Sequence, residues 1–274
     1  MKLAYVVPRY GAQVIGGAEY GARMLAERLV SRAGWEVEVL TTCALDARTW
    51  ADELPAGTSV EAGVHVHRFP VVGTRHPHFD RLSPQVLHDP EGAAGPAERA
   101  WVDRQGPVSP QLLEALRCTD ADLVAFYPYL YHPTVAGVPL AAGRAVMHPA
   151  AHDEPPLRLP LFRDVFAGVD GFVFQTDGER ELVEGLFPVA HRRRIVLGLG
   201  VEPEAGDPAD HASISTRENA SYPDGFTSAT APRSTPHFTS SGTGPATTTS
   251  GWGSGRSTTG PSSASASGPG WRAL

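Results

Sequence analysis

Lysine is almost missing from this chain: Lys2 is the single one among 23 basic residues. Lysine codons are rich in A, so the bias points to a GC-rich genome. Cysteine is scarce too, with only Cys43 and Cys118, far apart and outside any C-x-x-C spacing. That excludes a disulfide framework and predicts two ordinary buried thiols in a reducing compartment. No apolar run approaches bilayer-spanning length, and the short run after Lys2 is broken at Pro8, unlike a signal peptide. A cytoplasmic protein is expected, with peripheral membrane contact left open. A formal net charge of −7 and the lack of a basic stripe argue against nucleic acid as the main partner.

A fourth absence divides the chain. Beyond about Gly206 the only large aliphatic residues are Ile214 and Leu274, while Ser, Thr, Gly, Pro and Ala dominate. Such a segment cannot bury enough apolar surface to offset the entropy of ordering it. The 41% hydrophobic content of the 274 residues is therefore concentrated upstream. The expected organisation is one packed domain over residues 1–203 and a low-complexity, disordered tail over 204–274.

What is present begins with Leu3 to Val7, an apolar run stopped by Pro8, then a loop containing Gly11, Gly16 and Gly17, then a helical pattern. A strand, a loop and a helix are predicted. Two glycines at such a junction let backbone approach a ligand, and a helix start offers unpaired N–H groups to an anion or a sugar hydroxyl. A tight turn without a ligand fits the same residues. No Lys and Ser/Thr follow the glycines, which excludes a P-loop, and no register supplies G-x-G-x-x-G.

Downstream, Ala18, Ala22, Leu25, Ala26 and Leu29 share a helical face that ends at Gly34, and Trp35 to Thr41 alternates as a second strand. This β-α-β unit implies a right-handed crossover in a parallel sheet. Residues 44–62 look like loop, and Val64 to Phe69 is a third strand. His65 and His67 share one face of it, but with no third ligand they are solvated strand histidines. Residues 72–109 suggest irregular structure with one short helix near Ala97–Asp103. A helix from Ser109 or Pro110 through Leu116 then precedes a fourth strand, Asp122 to Tyr127.

Tyr127, Tyr129 and Tyr131 follow that strand, where rings could stack on a sugar or base, or pack the loop against Pro139. A fifth strand, Arg144 to His148, leads into His148, His152, Asp153 and Glu154, the densest set of chemically useful groups in the chain. A histidine can hydrogen-bond a phosphate or polarise a hydroxyl, and a neighbouring carboxylate can fix its tautomer. Pro149 and Pro155 forbid the helix that would pair the two imidazoles, so no metal centre is expected. A helix over Phe162 to Phe166, a sixth strand, Gly171 to Gln175, a helix capped by Thr176 with Glu179 as its capping-box carboxylate, and a seventh strand, Ile195 to Leu197, complete the pattern.

Several of these segments together resemble the N-terminal half of family 4 glycosyltransferases, retaining enzymes of the GT-B architecture. They are Pro8 with Gly16-Gly17-Ala18-Glu19, Ala26-Glu27-Arg28-Leu29 running into Glu36 to Thr41, His152-Asp153, Thr176 to Phe187, and Gly198 to Glu202. The resemblance covers about residues 1–203 in the family's order and spacing. It implies an α/β fold with a Rossmann-like, mostly parallel sheet as the first half of a GT-B pair. The acceptor, a saccharide or lipid-linked sugar, would bind mainly this half, and the nucleotide-sugar donor mainly the second.

No cofactor is expected. The resemblance implies that Gly17 would lie near the donor diphosphate or acceptor, Tyr10 near the acceptor, and His152 or His148 near the transferred sugar; which histidine stays open. Gly16, Glu19, Asp153 and Tyr129 complete the candidate substrate-binding set. The family's second domain carries E-x7-E and an Arg/Lys pair for the diphosphate, and neither follows Pro203. A truncated or frameshifted second half explains this. Back-translated with G or C in third positions, Thr247 to Trp252 shifted by two bases reads Asp-Asp-Leu-Arg-Leu-Gly, a strand-like string. Alternatively, the chain is a non-catalytic module that binds an acceptor or partner.

Overall fold

The computed structural model describes residues 1–198 and Gly200. The expectations for residues 204–274 lie outside the described residues.

The chain forms β1 (Lys2–Val6), α1 (Gly17–Ala33), β2 (Glu36–Thr42), β3 (Gly57–Glu61), β4 (Val64–Phe69), α2 (Phe79–Leu87), α3 (Pro96–Gln105) and α4 (Pro110–Cys118). There follow β5 (Leu123–Phe126), α5 (His132–Gly137), β6 (Ala145–Met147), α6 (Leu161–Ala167), β7 (Gly171–Phe174), α7 (Asp177–Leu186) and β8 (Arg193–Val196). Short 3₁₀ turns lie at Val138–Ala141 and Pro155–Arg158. The strands make one sheet in the order β3-β4-β2-β1-β5-β6-β7-β8. Every pairing is parallel except that of β3 with β4. This is a Rossmann-like α/β fold.

Alternation along the central strands sorts side chains onto two covered faces, as a parallel sheet requires. Leu3, Tyr5, Val37, Val39, Val64 and Val66 face α1, where Ala22 and Ala26 let the helix approach the strands closely. Ala4, Val6, Val124, Phe126, Met147 and Phe172 face the other way, into a larger core closed by residues of α2 to α7. Helix α1 ends where Gly34 turns left-handed at φ 66° and donates its N–H to Leu29 and Val30.

The sheet has eight strands where the sequence pattern predicts seven. The additional one, β3, is an edge strand with the polar sequence Gly-Thr-Ser-Val-Glu, exposed or half-buried throughout, so it carries no apolar alternation. Helices α2 and α5 are also additional to the predicted set; α2 holds Pro84 inside it, and α5 is six residues long. Cys43 is buried as expected, but Cys118 is exposed at the end of α4, its thiol toward Glu114.

Candidate functional site

The chain runs outward from β1 in opposite directions, to β2 and β4 on one side and from β5 to β8 on the other. The carboxyl ends of β1 and β5 therefore flank the point where the order reverses, the place where open α/β sheets form a ligand crevice. The loops after β1, β5, β6 and β7 all leave from this edge.

The first loop is anchored by Thr42, whose hydroxyl donates to the Pro8 carbonyl at 2.6 Å. Arg9 then donates to Glu19 from Nε at 3.0 Å and from Nη2 at 2.5 Å, and to the Leu45 carbonyl at 2.8 Å. Both side chains of this ion pair are largely buried. The Glu19 carboxylate lies against Gly16, where a Cβ would sit 2.1 Å from Oε2; a Cβ at Gly17 would meet nothing within 4 Å. Of the two glycines, Gly16 packs directly against this carboxylate, whereas Gly17, the first residue of α1, leaves open space. Glu19 is committed to Arg9.

His148, at the mouth of β6, is 7% exposed. Its Nε2 shares a hydrogen bond of 2.9 Å with the Tyr5 hydroxyl, and its ring stacks on Tyr127 with centroids 5.2 Å apart. Burial pulls its pKa down to about 4 and pushes the Tyr5 hydroxyl far up, so both are neutral at pH 7. His148 is thus equipped to hydrogen-bond as an uncharged imidazole. Burial raises the Tyr127 hydroxyl to about 12, and it accepts a hydrogen bond from the Gln175 side chain. A hollow of about 220 Å³ opens over these groups, walled by Met24, Leu25 and Arg28 of α1 and by Tyr127, His148 and Gln175.

His152 and Asp153 lie at the surface, in the loop after β6. Asp153 pairs with Arg158 at 2.6 Å, so its carboxylate is directed to a guanidinium instead of fixing an imidazole tautomer. A second hollow of about 260 Å³ is lined by Ala151, His152, Asp153, Gln175, Thr176 and Glu179. Gln175 borders both hollows, so the two candidate histidines face adjoining spaces at one edge of the sheet.

Tyr10 and Tyr129, expected at a substrate, are each 1% exposed and belong to separate core clusters. Tyr129 packs edge-on against Phe162 at 4.9 Å and donates its hydroxyl to Glu154 at 2.9 Å. Tyr10 has no hydrogen-bond partner for its buried hydroxyl. Neither ring presents a face to a ligand, because long-range packing claims both.

Sequence reasoning passed over Tyr5, Arg9 and Gln175 and gave Glu179 only a capping role. The available signals were a polar residue at the end of an apolar strand, Gln175, and a cation directly after the proline that ends β1, Arg9. Among the described residues no group of three or more His, Cys, Asp or Glu side chains is arranged to hold a metal ion. None of the described helices is long and apolar enough to cross a membrane. No protein-family model matches this chain, and no curated protein matches it either.

Proposed function

We propose that residues 1–203 are the acceptor-binding half of a retaining glycosyltransferase, acting in the cytoplasm on a saccharide or lipid-linked acceptor, and that residues 204–274 are a shifted-frame reading of sequence for the half that would hold the nucleotide-sugar donor. The observation that carries this reading is that neutral His148 and surface-exposed His152 line adjoining hollows beyond the strand ends, with Gly17 closing the loop that leaves β1 from the same edge. The neutral His148 imidazole, the Gln175 amide and open backbone N–H groups suit sugar hydroxyls, which carry no charge.

Titration of the chain with a panel of oligosaccharides and lipid-linked sugars, followed by the imidazole NMR signals of His148 and His152, tests the binding half. Shifts saturating with an acceptor, and none with UDP- or GDP-sugars, are expected. Silence of both signals across the panel would sink the reading. Acceptor binding with no transfer in any repaired form would favour the non-catalytic module.

Two further measurements separate binding from chemistry. Gly17→Val is expected to fold normally, because a side chain there meets nothing, and to weaken acceptor binding. Sequencing the gene around codons 200–215 is expected to reveal a second open frame rich in Leu and Val; an early stop codon there would exclude the frameshift. In the frame-restored enzyme, His152→Ala is expected to lower turnover by about 10²–10⁴-fold.

A further inference from the structure

Glu179 holds more than its own helix. In a capping box its carboxylate would accept from the Thr176 N–H. Here only half of that motif forms: the Glu179 N–H donates to the Thr176 hydroxyl at 3.0 Å. The carboxylate reaches elsewhere, Oε1 accepting from the Ala151 N–H at 2.9 Å and Oε2 from the Gln175 N–H at 2.6 Å. Glu179 is 7% exposed, and a carboxylate that deep is tolerable because two backbone amides and the first turn of α7 all favour its charge.

We propose that Glu179 is the positioning residue for both candidate histidines, joining the loop after β6 to the loop after β7. One oxygen fixes Ala151, which directly precedes His152. Ala150, one residue earlier, has φ +50°, a left-handed conformation that a residue with a Cβ keeps only when its surroundings impose it. The other oxygen fixes the backbone of Gln175, whose side chain donates to the Tyr127 hydroxyl, and Tyr127 stacks on His148. Losing the carboxylate frees both arms together. The inference rests on the functional reading only for what the histidines bind; the positioning itself needs no ligand.

The competing account is that Glu179 merely starts α7, and Thr176→Ala isolates that role. Amide hydrogen exchange and imidazole NMR on the whole chain distinguish the two. Glu179→Gln keeps the size but turns an N–H₂ group toward a backbone N–H. It is expected to speed exchange at Ala151 or Gln175 by about 10-fold or more and to shift the signals of both histidines. Thr176→Ala is expected to leave Ala151 exchange within about 3-fold of the parent.

Unchanged exchange at both amides in Glu179→Gln, or the same loss in Thr176→Ala, overturns the proposal. Should Glu179→Gln fail to fold, Glu179→Asp replaces it: the charge stays, but the side chain is one methylene too short to reach both loops. Loss of protection at one amide, with a shift of the imidazole it serves, supports the proposal; retention of both overturns it. If these signals move while the acceptor titration is silent, the glycosyltransferase reading fails and the positioning role stands.

Discussion

Gly16 and Gly17 are adjacent and chemically identical, yet they answer to different constraints. Gly16→Ala drives a methyl group into the Glu19 carboxylate and must disturb its pair with Arg9. A loss of about 1–3 kcal/mol in a urea titration is expected, with Gly17→Ala within about 1 kcal/mol of the parent. His148 makes a second prediction at this scale. In the native state it stays neutral down to about pH 4, whereas in the unfolded chain it takes a proton below about 6.5. The unfolded state therefore binds more protons between these values, and stability falls as pH drops through that window, by about 3 kcal/mol in all. His132, also pushed down by burial, adds with the same sign. Replacing His148 by Gln is expected to flatten most of that acid limb, measured as the difference in urea stability between parent and variant from pH 7 to 4.

Single elements were legible where their own side chains carried the signal. In β4, Val64 and Val66 are buried while His65 is exposed, the alternation the sequence displays. Helix α7 begins at its predicted cap, Thr176, and Thr176→Ala is expected to cost about 1 kcal/mol in thermal or urea denaturation. Strand β3 escaped notice because Thr58 and Val60 both face solvent, Val60 with 62% of its surface exposed. It exists because a two-residue turn returns the chain onto β4, with Ala62 at φ 49° and Gly63 at φ 83°. Positive φ at both turn residues favours Asn-Gly. Ala62→Asn is accordingly expected to stabilise the protein by about 0.5–1 kcal/mol, read as a rise in the urea midpoint.

Across the whole molecule the two faces of the sheet are unequal. Among the described helices α1 alone contributes to one core cluster, while α2 to α7 supply the other. Phe166 lies in the larger cluster, fully buried and stacked on Phe187 with centroids 4.2 Å apart. Phe166→Ala is expected to cost about 3–5 kcal/mol in denaturant titration, since six helices' worth of packing cannot collapse around the gap. By itself the sequence determined the parallel α/β sheet and the candidate loops at strand ends, because hydrophobic period, caps and the alternation of strands with helices are written in consecutive residues. Only the tertiary structure decided that Tyr10 and Tyr129 belong to the core and that the Glu179 carboxylate reaches across to Ala151. Burial and hydrogen-bond partners at such separations depend on which loops the sheet brings together, and no window of neighbouring residues contains that information.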